Sequence, residues 1–139
     1  VRAIMEESED PAAARRSFFS EERLATLKIG LLEKMATEKP YLDPELNLPG
    51  LARHLNLSVH ETSELVNAGF GENFAQFINR YRVDESKRLL RSEKHAHLNM
   101  VGIAFEAGFN SKTAFNTAFK KLAGMSPTEY KAESILSGV

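Results

Sequence analysis

A short pattern that occurs twice constrains this chain more than anything else in it. Leu51-Ala52-Arg53-His54-Leu55-Asn56-Leu57 is matched 52 positions later by Ile103-Ala104-Phe105-Glu106-Ala107-Gly108-Phe109. Each copy places a large aliphatic residue and a small Ala on what reads as one helix. A residue tolerant of left-handed backbone follows (Asn56 or Gly108), and then an apolar plug (Leu57 or Phe109). Two helices crossing steeply through a three-to-four-residue turn need these parts: no bulk at the crossing and one position with φ above zero. Ser58 and Ser111 then stand ready as N-caps for the second helix of each pair.

The rest of the chain reads as further helices with local start and stop signals. Ser20 caps a helix whose first turn holds Glu21 and Glu22, and Leu24, Leu27, Leu31 and Met35 recur at helical spacing until Pro40 closes it. Leu48 to Leu55 sets Leu51, Ala52 and Leu55 on one side. Ser58 with Glu61 forms a capping box, and Gly69-Phe70-Gly71 breaks that helix. Asn73 and Gln76 start a long helix to Arg91, Asn99 starts one through Ala107, and Ser111 starts one that Gly124 stops. Ser126-Pro127-Thr128-Glu129 opens the last. No window alternates like a strand, so the expected fold is all-α with about seven helices: two helix-turn-helix units (about 48–67 and 99–122) joined by a linker helix (about 73–91). Residues 1–19 read as a linker and 134–139 as a tail.

Charge follows the same division. Formal net charge is −1, but residues 1–78 hold 8 Lys and Arg against 13 Asp and Glu, whereas residues 79–131 hold 10 against 5. Local field rather than total charge attracts a polyanion, so the second half suits nucleic acid and the first does not. A helix over 73–91 is about 28 Å long at roughly 1.5 Å per residue, and readers on one face of B-DNA sit about 34 Å apart. Two units on a stiff spacer of that length suit adjacent major grooves.

The run from Ile103 to Lys131 resembles the AraC/XylS family of transcription regulators. The family's I-A-x-x-x-G-F, F-K-K, G-x-S-P and Y-[RK] elements stand in order as Ile103-Ala104…Gly108-Phe109, Phe119-Lys120-Lys121, Gly124-Met125-Ser126-Pro127 and Tyr130-Lys131. Upstream, Phe74, Arg82 and Lys87-Arg88-Leu89-Leu90 resemble its linker helix, so the similarity spans about 21–131. That resemblance makes the helices after Ser58 and Ser111 the recognition helices. The DNA-contact residues it implies are Val59, His60 and Ser63 on the first, with Asn67 beyond them. On the second they are Ser111, Lys112, Thr113, Asn116 and Thr117, with Lys120 and Lys121 nearer the backbone. Lys112 suits guanine O6/N7, Asn116 adenine or a phosphate, and the Thr113 and Thr117 methyl groups thymine. One departure stands out: the first recognition helix carries Glu61 and Glu64 but no Lys or Arg, so the second unit is expected to supply more of the affinity.

Implied partners are double-stranded promoter DNA, RNA polymerase, and an upstream sensing or dimerisation region of the same protein. The start at Val1 rather than Met points to a fragment, and the absence of Cys suits a reducing cytoplasm. No run of 18 apolar residues spans a membrane. No enzyme motif, metal-binding spacing or cofactor signature is found, and His95-x-His97 lacks the i,i+4 interval of a helical metal pair. Phe105, Phe109, Phe115 and Phe119 are expected to pack with Ile103 and Leu122, and Asp84 to pair with Arg88. A helical protein-interaction module of the same fold is the alternative, favoured by the acidic first unit.

Overall fold

The computed structural model describes residues 19–136, and the expected linker therefore lies outside the described residues except for Phe19. Seven α-helices are found there: α1 (Glu21–Thr37), α2 (Leu48–Leu55), α3 (Val59–Phe70), α4 (Phe74–Arg91), α5 (Met100–Glu106), α6 (Lys112–Ala123) and α7 (Pro127–Leu136). Short 3-10 turns at Pro40–Leu42 and Glu93–His95 complete the described secondary structure, which contains no strand.

Local side-chain chemistry starts these helices. The side-chain oxygens of Ser20, Asn47, Ser58, Asn99 and Ser111 each accept from the backbone amide three residues on. Ser58–Glu61 and Asn73–Gln76 bond reciprocally, as do Ser126 and Glu129. Ends differ from the sequence reading by small amounts. α1 stops at Thr37, where Glu38 caps it, and Lys39 takes φ 51 before Pro40. α3 continues through Gly69 to Phe70, and the left-handed Gly71 ends it. α7 runs to Leu136 and buries Ser134, so the segment read as a tail begins inside a helix.

The chain divides into two compact units. The first comprises residues up to Lys39 and Asn47–Phe77; the second comprises Pro40–Leu46 and the chain from Ile78. In the first, α1 and α2 pack on α3, and Leu31, Met35, Leu51, Leu65, Val66 and Phe77 are buried. In the second, Val83, Leu89 and Leu90 of α4 share a core with Ile103, Ala104, Phe109, Phe115, Ala118 and Phe119. Ring centroids step through it at 5.3 Å (Phe109–Phe115), 5.7 Å (Phe115–Phe119) and 5.5 Å (Phe119–Tyr130).

Two packing expectations are corrected. Phe105 and Leu122 are 49% and 47% exposed, outside the aromatic core they were assigned to. Arg88 pairs with Glu85 at 2.6 Å rather than with Asp84, and that bond raises its pKa.

Candidate nucleic-acid interface

The repeat read in the sequence recurs at the level of single hydrogen bonds. In the first turn, Leu57 N–H donates to the Ala52 carbonyl at 3.0 Å and Asn56 N–H to that of Arg53 at 3.3 Å. In the second, Phe109 N–H donates to Ala104 at 2.9 Å and Gly108 N–H to Phe105 at 3.0 Å. This pair of bonds is the Schellman arrangement, and it needs a left-handed residue, here Asn56 (φ 58) and Gly108 (φ 99). Ala52 and Ala104 are 3% and 0% exposed, as a close helix crossing requires.

Gly108 has a second duty. A Cβ there would fall well inside 3.0 Å of the Tyr41 carbonyl oxygen, and at 3.0 Å from both Arg82 Nε and Leu42 Cα. Arg82 fixes that carbonyl: Nε donates to Tyr41 O at 2.7 Å and Nη2 to Asp43 O at 2.9 Å. Tyr41 is buried, its ring 5.3 Å from that of Tyr81. Desolvation pulls the Arg82 pKa below its usual value and raises that of Tyr41. Arg82 is therefore a clamp on the Pro40–Leu46 segment. The other linker cations are also engaged within the protein. Arg91 donates to the Tyr130 hydroxyl, Lys87 lies 5.7 Å from the Tyr130 ring centre, and Arg80 lies 5.3 Å from that of Tyr81.

On α6 the core fixes which side faces water. Phe115, Ala118 and Phe119 are buried, leaving Lys112, Thr113, Thr117, Lys120 and Lys121 exposed and Asn116 half-buried among them. Ser111 holds the first turn by accepting from Ala114 N–H at 3.0 Å. The exposed face therefore carries three cations, two hydroxyls and an amide with no carboxylate, on a helix whose N-terminus adds a positive dipole end. Ser111 caps the helix, and the other six residues expected there are exposed or half-buried along it.

On α3, Val59 is 41% exposed, His60 and Asn67 are exposed, and Ser63 is half-buried, with Asn67 Nδ2 3.5 Å from its Oγ. Of the two acidic residues, Glu61 stands in the capping box expected from the sequence, and only Glu64 departs by turning inward. Glu61 turns back to accept from Ser58 N–H at 2.9 Å, and Glu64 is only 4% exposed. Glu64 is therefore turned away from the outward side of α3, where Val59, His60, Ser63 and Asn67 stand and no Lys or Arg is found. Position within the capping box was legible for Glu61; the inward turn of Glu64 had no local signal. Nor did the clamp, because its partners lie 41 and 39 residues apart. Among the described residues no group of three or more His, Asp or Glu is placed to hold a metal ion, and no helix is long and apolar enough to cross a membrane.

Known proteins agree with this architecture. The chain is 28% identical over 113 residues to the probable transcriptional regulator LumQ of Photobacterium leiognathi, covering 81% of this chain and 44% of that relative. It thus spans less than half the length of that curated relative. Its fold matches the C-terminal domain of the two-component response regulator yesN from Fusobacterium nucleatum subsp. nucleatum ATCC 25586 at TM-score 0.64 and 28% identity, covering 75% of this chain and 96% of that one. It also matches the DNA-binding domain of the global transcriptional factor AdpA, solved in complex with a target DNA. There the TM-score is 0.61 with 23% identity, over 79% of this chain and 90% of that one. Residues 51–133 match the family described as a helix-turn-helix domain, so the chain, with two such units and seven helices among its described residues, belongs to the AraC-type helix-turn-helix family.

Proposed function

We propose that this chain binds specific double-stranded DNA through both helix-turn-helix units and thereby regulates transcription. The observation that carries the reading is the outward face of α6: Lys112, Thr113, Asn116, Thr117, Lys120 and Lys121 on a capped helix whose other side is anchored by Phe115 and Phe119. Lys112 donates to guanine O6/N7, Asn116 pairs with adenine or a phosphate, and the Thr113 and Thr117 methyl groups meet thymine. Lys120 and Lys121 neutralise phosphates and set register without choosing sequence. Ser111 contributes chiefly by capping α6. On α3, Val59, His60 and Ser63 supply a reading face without Lys or Arg, so charge attraction comes mainly from the second unit. The two units take successive major grooves of one duplex. RNA polymerase and an upstream sensing or dimerising region of the same protein are the proposed partners, and the cytoplasm the proposed compartment. The DNA-bound structure of a protein with the same fold supports the reading.

Titration of duplex DNA at several salt concentrations tests it. Log affinity should fall against log salt with a slope of about −0.9 per neutralised phosphate. A protein-interaction module would bind duplex weakly at every salt.

A further inference from the structure

α1 carries two apolar stripes where one is enough to join a core. Leu24, Leu27, Leu31 and Met35 face inward, with Leu31 and Met35 buried. Ala25, Ile29, Leu32 and Ala36 form the second stripe and all are exposed, Ile29 by 66% and Leu32 by 42%. At 3.6 residues per turn the two stripes lie roughly 120° apart around the helix. The second stripe has the 4-3-4 spacing of a coiled-coil seam. Ile29 takes the β-branched a position and Leu32 the d position, a combination that favours two parallel strands.

Charges beside the seam choose the occupant and its direction. Lys28 and Glu33 flank it at the g and e positions. In a parallel, in-register pair each Lys28 faces the other copy's Glu33, whereas an antiparallel pair sets Lys28 against Lys28. Glu33 is exposed, and Lys28 is half-buried, its stem beside Gly69 and its ammonium 5.3 Å from the Phe70 ring centre, a contact that a facing carboxylate can replace by a swing of the side-chain end. We propose that the outer face of α1 is a self-association surface on which two copies of this chain pair their α1 helices in parallel through Ile29 and Leu32. Two heptads bury far less than the roughly 1,200 Å² of a stable interface. Pairing is therefore weak for free chains and strengthens where copies are held close together.

The chain has no Cys, so one introduced thiol reports the pairing directly. Leu32→Cys puts a thiol beside its own counterpart across the seam. Gly30→Cys is the control, since it lies on an exposed side away from the seam and a Cβ there meets nothing within 4 Å. In a glutathione redox buffer without DNA, at equal protein concentration, Leu32→Cys should give at least about tenfold more disulfide-linked dimer, as an effective-concentration effect predicts. Adding Glu33→Lys should cut that yield several-fold, and adding Lys28→Glu as well should restore it, with circular dichroism confirming helical content throughout. Equal yields from the two single-Cys chains would overturn the proposal, whether the stripe is vacant or serves a different protein. A yield indifferent to the charge changes would overturn the parallel pairing. Because no DNA is present, neither result depends on the proposed function.

Discussion

Replacing Gly108 by Ala is the sharpest test of how the second turn is built. The left-handed region costs a residue with a Cβ about 1–2 kcal/mol, and φ 99 lies beyond its usual centre. The added methyl also lands well inside 3.0 Å of the Tyr41 carbonyl and at 3.0 Å from Arg82 Nε and Leu42 Cα. That carbonyl cannot simply retreat, because Arg82 holds it at 2.7 Å and the Tyr41 ring is buried. Overpacking of this kind costs about 1–3 kcal/mol, so the total loss is about 2–5 kcal/mol, in the upper half of that range. The protein has no Trp, and its three Tyr (Tyr41, Tyr81 and Tyr130) all fall in the second unit. Tyrosine fluorescence during urea unfolding therefore reports the affected unit alone. Asn56→Ala in the first turn, followed by circular dichroism because no Tyr lies in that unit, is the comparison: φ 58 is ordinary left-handed geometry and Asn56 already bears a Cβ, so the loss should stay below about 1–2 kcal/mol. A Gly108→Ala chain within about 1 kcal/mol of the unsubstituted one, or no less stable than Asn56→Ala, would refute the close-approach reasoning.

Further outcomes follow from other positions. Gly30 sits exposed inside α1 with nothing within 4 Å of its missing Cβ, so Gly30→Ala should stabilise the first unit by about 0.5–1 kcal/mol; thermal melts by circular dichroism measure it. Lys120→Ala and Lys121→Ala should each weaken binding to every duplex alike and flatten the salt slope by about 0.9; a change in base preference instead would assign them to base reading. The Ser126 backbone amide, and then its side chain, hold the Glu129 pKa below the usual carboxylate value. A depressed folded pKa means that this contribution is complete above the unfolded value and is lost as pH falls through the folded one. The Ser126 amide proton shift should therefore titrate only in acid, and Glu129→Gln should remove that titration.

Much of the fold is legible in the sequence because helix starts are local events. Ser20, Ser58, Asn73, Asn99, Ser111 and Ser126 each act within three residues of themselves, and every one is found capping or opening a helix. The repeated turn is legible for the same reason, since its two hydrogen bonds span at most five residues. What escaped depends on distant packing. Glu64 and Phe105 exchange their expected sides because the neighbouring helices, not the residue types, decide which face is covered. Arg82 resembles its cationic neighbours in sequence, and only the return of Pro40–Leu46 to the second unit gives it carbonyls to hold. On α6 the outward set was implied by the family resemblance, and the inward burial of Phe115 and Phe119 agrees with it, whereas on α3 the inward turn of Glu64 emerged only from the structure.

Selecting duplexes from a random pool and footprinting the winners with hydroxyl radicals bears most directly on the role given to α3 and α6. Two protected patches about one helical turn, or roughly 10 base pairs, apart are expected, with base preference recovered in both. A single protected patch would leave α3 without a reading role, and a pool that never converges on a sequence would contradict base reading by either helix.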